Sequence, residues 1–107
     1  MMINVTVETK KEILRAIQAN QEKIKALGVK KLGLFGSFAR EEHTDNSDVD
    51  LLVEFEAGRK TFDNFIELSF LLEDALNRPV ELVTAESLSP YIRPYIIKEV
   101  EYVTFTA

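Results

Sequence analysis

The chain contains no cysteine, which removes disulfides and thiolate-held metals from its chemistry. It is short of positive charge. Thirteen lysines and arginines face 18 aspartates and glutamates, for a net charge of −5. Phosphate contacts depend on Lys and Arg, so direct binding of nucleic acid is not expected. An acidic balance instead gives a well-solvated surface, and one suited to a basic protein partner. No apolar run approaches the length needed to span a membrane. Residues 1–11 hold no apolar core of signal-peptide length. The expectation is a cytoplasmic protein that does not engage a membrane. What is present is a core: 46% of the 107 residues are hydrophobic, too many for disorder. The length fits one domain, residues 1–107, with little room for a separate substrate domain.

The pattern along the chain is helix, strand, helix, strand, helix, strand. Thr9 and Glu12 form a capping box. Ile13, Leu14, Ile17, Ile24 and Leu27 then recur near helical spacing, and Gly28 stands where a helix would stop. This predicts one helix over 10–27. A strand follows over 29–35, then a short helix over 38–42 and a polar loop over 43–47. A second strand spans 49–55, and a turn at 57–60 surrounds Gly58. Thr61 caps a second long helix over 62–76, with Asn77 as its stop. A third strand covers 80–84. Toward the end, Pro94 interrupts a helical segment, 95–100 reads as helix, and 101–105 alternates like a last strand. The fold class is therefore α/β (α+β), a small mixed sheet flanked by helices.

Two local features carry chemistry. Gly36-Ser37 lies between a strand and a helix. Gly36 has no side chain, so a phosphate can approach the backbone there. The N–H groups that open the next helix favour an anion, and the Ser37 hydroxyl adds a donor. Arg40 stands one helical turn on, within reach of phosphate oxygens or a nearby carboxylate.

The second feature is Ser47-Asp48-Val49-Asp50 at the mouth of a strand. Strand side chains alternate, so Asp48 and Asp50 share one face while Val49, Leu51 and Val53 face the core. Paired hard oxygens on a rigid element suit Mg²⁺, which takes carboxylates together with water and phosphate oxygens. A two-metal site usually needs a third carboxylate. Glu81, set among Val80, Leu82 and Val83, is the candidate, since an acid in an apolar strand is costly unless exposed or paired. It meets Asp48 and Asp50 if the third strand lies beside the second. Glu54 and Glu56 continue the same face as its solvated end.

A Gly-Ser turn or an Asp-x-Asp pair is common by itself; the combination is specific. Gly-Ser-x-Ala-Arg, a short loop, Ser-Asp-x-Asp-Leu-Leu-Val and a later Val-Glu-Leu-Val resemble the minimal nucleotidyltransferase antitoxin family, within the DNA polymerase β-like nucleotidyltransferase superfamily. The resemblance covers most of the chain. It implies that Gly36 and Ser37 bind phosphate, that Asp48 and Asp50 bind Mg²⁺, and that Glu81 is the third acid. It also implies ATP as nucleotide donor and a HEPN-domain toxin as partner, with AMP passed to a toxin tyrosine. Two positions depart from the family pattern. Glu81 stands where Asp is usual, and one extra methylene shifts a carboxylate whose placement controls turnover. Glu41 stands where Gly often follows the arginine.

Two alternatives stay open: a non-catalytic antitoxin that occludes a HEPN partner, and a subunit that modifies a small molecule. His43, the only histidine, lies in the loop between the motifs and reads as neither ligand nor base. Tyr91, Tyr95 and Tyr102 cluster near the C-terminus as core or interface residues. Phe62, Phe65, Phe70, Leu71 and Leu72 surround so much of the second helix that a strip remains for a partner or a second copy, giving a homo- or hetero-oligomer.

Overall fold

The computed structural model describes residues 7–106. Its centre is a four-stranded mixed sheet made of β1 (Val29–Phe35), β2 (Val49–Phe55), β3 (Val80–Thr84) and β4 (Glu101–Tyr102), in the order β3-β2-β1-β4. β1 is antiparallel to β2 and β4, while β2 and β3 are parallel. A parallel pair needs a crossover, and the long helix α4 (Phe62–Leu76) supplies it. The Thr61 hydroxyl accepts from the Asn64 N–H at 3.1 Å to start α4. Asn77 ends it in the left-handed region, with φ 52°. The three longer strands and α4 follow the sequence expectation.

The first helical segment does not run unbroken over 10–27. It divides into α1 (Lys10–Ala19) and α2 (Gln21–Ala26) at Asn20. The Asn20 side-chain amide donates to Ala16 O at 2.8 Å, and its backbone N–H turns to Ile17 O at 3.0 Å. An asparagine that bonds its own helix's carbonyls competes with the helical ladder, and a second helix begins at Gln21.

The short helix α3 is Gly36–Ala39, not 38–42. Gly36, at φ 76°, turns the chain at the end of β1 so that the helix starts at once. Glu41, at φ 59°, stops it. At the other end of the chain, Pro94 does not interrupt a helix. It sits in the first turn of α5 (Arg93–Glu99), where its missing N–H costs nothing. β4 is shorter than the alternation over 101–105 predicts.

The main core lies on one face of the sheet. Ile13 and Ile17 of α1, Ile24 of α2 and Leu68, Leu72 and Leu76 of α4 pack on Leu32, Leu34, Leu51 and Val53. The second face carries a smaller cluster, in which Ile96 of α5 covers Phe35 and Leu52. Leu52 shares its strand face with Asp50 and Glu54. That face is therefore apolar under α5 and acidic to either side. Among the described residues, no helix is long and apolar enough to cross a membrane.

Candidate active site

Asp50 is the centre of the site. It is the second residue of β2, opposite Phe35 on β1 and opposite Glu81 on β3. Parallel pairing thus brings Glu81 against Asp50, as the sequence pattern requires of a third carboxylate. The Asp50 carboxyl is half-buried and pushed up to about 6 from an ordinary 3.8. Burial is the largest cause, followed by a hydrogen bond with Glu81, the Glu81 charge and the Asp48 charge; Arg40 pulls weakly the other way. Asp48 is exposed at the mouth of β2 and acts on Asp50 through its charge. Among the described residues, no three acids or imidazoles are gathered into a ready cation cluster. The donor chemistry nevertheless fits a hard divalent cation. Glu81 and Asp48 crowd Asp50 enough to hold back its ionisation, and such an ion relieves the repulsion among oxygen ligands of this kind.

Gly36 is required by Asp50. A Cβ at position 36 would overlap Asp50 Oδ2 and lie 2.9 Å from its Cγ. The close approach expected of a phosphate is thus made by the Asp50 carboxylate of β2. The Gly36 N–H donates to Glu99 Oε2 at 2.9 Å. Arg40 donates from Nη1 to Glu99 Oε1 at 2.9 Å and from Nε to Glu42 Oε1 at 2.8 Å. Of the two partners open to Arg40, a carboxylate is therefore the one present. Burial pushes the Glu99 carboxyl up, but the Gly36 N–H and the Arg40 guanidinium outweigh it and leave it below the usual range. The Ser37 hydroxyl, half-buried beside this turn, finds no partner among the described residues and is free to donate to a ligand.

The loop that delivers Asp48 is held from within and from below. The Ser47 hydroxyl accepts the Thr44 N–H at 2.9 Å, so its observed role is to close the loop. Arg78 donates from Nε to Val7 O at 2.7 Å and from Nη1 to Asp45 O at 3.0 Å and Ser47 O at 3.4 Å. Its guanidinium also lies 5.1 Å from the centre of the Phe38 ring. His43 stacks on the same ring, with centroids 4.0 Å apart, and pairs with Glu8 O through Nε2. In this structure its ring packs within the loop.

Sequence reasoning passed over Glu99 and Arg78. Each left a signal. Glu99 is an acid in the last turn of a helix, where the dipole disfavours it, and such a residue needs a local donor. Arg78 immediately precedes the strand that carries Glu81.

A profile for the nucleotidyltransferase domain matches residues 10–103. The protein adenylyltransferase MntA of Thermococcus cleftensis is 38% identical over 96 residues, covering 89% of this chain and 96% of that protein. A solved structure provisionally named a minimal nucleotidyltransferase superposes with a TM-score of 0.67 at 34% identity, covering 82% of this chain and 93% of the other. A structure of tri-AMPylated HEPN toxin with MNT antitoxin from Shewanella oneidensis gives a TM-score of 0.54 at 25% identity, over 83% of this chain and 72% of the matched one.

Proposed function

The chain belongs to the nucleotidyltransferase domain family, and from that premise we propose that it transfers AMP from ATP to a tyrosine of a HEPN toxin, in a Mg²⁺-dependent reaction that disarms the toxin. The observation that carries this reading is the pairing of Asp50 with Glu81 directly beside the Gly36-Ser37 turn. The likeness to an adenylyltransferase and to an antitoxin bound to its AMPylated toxin supports the choice of acceptor.

In this reading Ser37 donates its hydroxyl to the triphosphate at the turn. Asp48, Asp50 and Glu81 would hold Mg²⁺, which when bound neutralises phosphate charge and orients the α-phosphate for in-line attack. The tyrosine oxygen of the partner forms a bond to the α-phosphorus while the bond to the β-phosphate oxygen breaks, and pyrophosphate leaves. The proton of the attacking hydroxyl passes to the Asp50–Glu81 pair.

The test is to combine purified protein, ATP and magnesium with a HEPN-domain toxin, taken from the neighbouring gene if that gene encodes one. The toxin should gain the mass of one or more AMP groups, and the gain should vanish in an Asp48→Asn, Asp50→Asn double variant. No gain with active wild-type components would sink the proposal. A second reading, neutralisation by occlusion, draws on the exposed residues Tyr91, Ile92 and Tyr95 in and just before α5. It predicts that the double variant still neutralises the toxin in full.

A further inference from the structure

We infer that Glu99 is a positioning residue for this site, a brace from the C-terminal helix that fixes Gly36 and, through it, Asp50. The inference rests on the nucleotidyl-transfer reading above. Both carboxylate oxygens of Glu99 are committed to the motif: Oε2 accepts the Gly36 N–H and Oε1 accepts Arg40 Nη1, each at 2.9 Å. The side chain is only 24% exposed, and Gly36 is buried. Without Glu99 the Gly36 N–H would be a buried donor with no acceptor, which a folded chain avoids by moving. Gly36 has little room to move without consequence, because its Cα faces the Asp50 carboxylate with no space for even a methyl group between them. A shift at Gly36 is therefore passed to Asp50.

A rival account is that the Glu99 carboxylate merely occupies the place of a phosphate and leaves when nucleotide arrives. The chain connection opposes it. α5 ends at Glu99, and β4 begins at Glu101, which is already paired with Leu34 of β1. Val100 alone joins the two elements. The backbone at Glu99 is thus held on both sides, so clearing the turn would take a swing of the side chain alone, which gives up both of its hydrogen bonds, to Gly36 and to Arg40. The brace requires that the side chain stay in place when nucleotide binds.

The deciding measurement is the Gly36 amide resonance in labelled full-length protein. A carboxylate-bonded amide lies downfield. It should stay there when AMP-PNP and magnesium are added, and Glu99→Gln should move it upfield. In AMP transfer, Glu99→Gln and Glu99→Asp should lower kcat by about tenfold or more, as misplacement of reacting groups does, with the KM for ATP within about twofold of wild type. Loss of the downfield resonance on adding AMP-PNP, or tighter ATP binding by Glu99→Gln, would overturn the brace in favour of the rival. Unchanged kcat with a lowered melting temperature would make Glu99 a stabilising residue only and would also overturn it. Wild-type protein that transfers no AMP would count against the proposed function, while the resonance would still decide the brace.

Discussion

Gly36 and Asp50 lie so close that the space between the turn and the carboxylate excludes a single methyl group. A glycine turn before a helix leaves room for an incoming phosphate. Here the turn is already shaped around an acid of the same chain. Gly36 also holds φ 76°, so two independent demands fall on one residue. Gly36→Ala should cost about 1–2 kcal/mol from the backbone alone, and more from displacing Asp50. AMP transfer should fall below detection while the protein remains folded. Thermal unfolding and a transfer assay on the same sample test this, and an active Gly36→Ala enzyme would contradict it.

The pH response of the metal-free protein follows from Asp50. Its folded-state value, about 6, lies above the ordinary 3.8. A raised carboxyl favours the folded state while protonated, so its contribution is full below about pH 3.8 and is lost as pH rises through about 6. In EDTA, Asp50→Asn should therefore be more stable than wild type at pH 8 and equal to it near pH 3.5. Saturating magnesium should erase the advantage at pH 8 by neutralising the wild-type carboxylates. Melting curves across pH decide the matter; a pH-independent difference would remove the stated cause.

Glu41 adopts φ 59° where α3 ends, a conformation that costs a residue with a Cβ about 1–2 kcal/mol and costs glycine little. Its ion pair with Lys10, at 3.5 Å and exposed on the Glu41 side, returns no more than about 1 kcal/mol. Glu41→Gly should raise stability by about 1 kcal/mol, seen as a shift in denaturation midpoint at constant slope. A loss of stability would mean that the ion pair outweighs the strain.

Arg78 serves three backbone carbonyls and one aromatic face at once. Lysine keeps the charge but lacks the planar fork. Arg78→Lys should destabilise the fold by about 1–2 kcal/mol, the cost of part-buried acceptors losing a donor. Amide exchange in residues 43–48 should quicken more than in β1. Exchange that rises evenly across the protein would argue against a specific hold on the loop.

Much of the architecture was legible because it is local. Thr61 and Asn77 bracket α4 through hydrogen bonds and a backbone conformation set within a few residues. The alternation of Val49, Leu51 and Val53 identifies β2 and the face that Asp50 must take. The break at Asn20 is also local, yet it depends on whether a side chain or the helix wins the same carbonyl, and composition alone does not decide that contest.

The sequence by itself determined the strands, the long helix, the side of β2 that carries the acids and the identity of the carboxylates. Strand period, capping chemistry and residue type contain that information. Only the tertiary structure decided that β3 lies parallel to β2 in the register that sets Glu81 against Asp50. It also decided that Glu99, 63 positions along the chain, fills the acceptor role at Gly36. Such contacts form when distant segments pack on a common sheet, and no spacing along the chain encodes the register in which they meet.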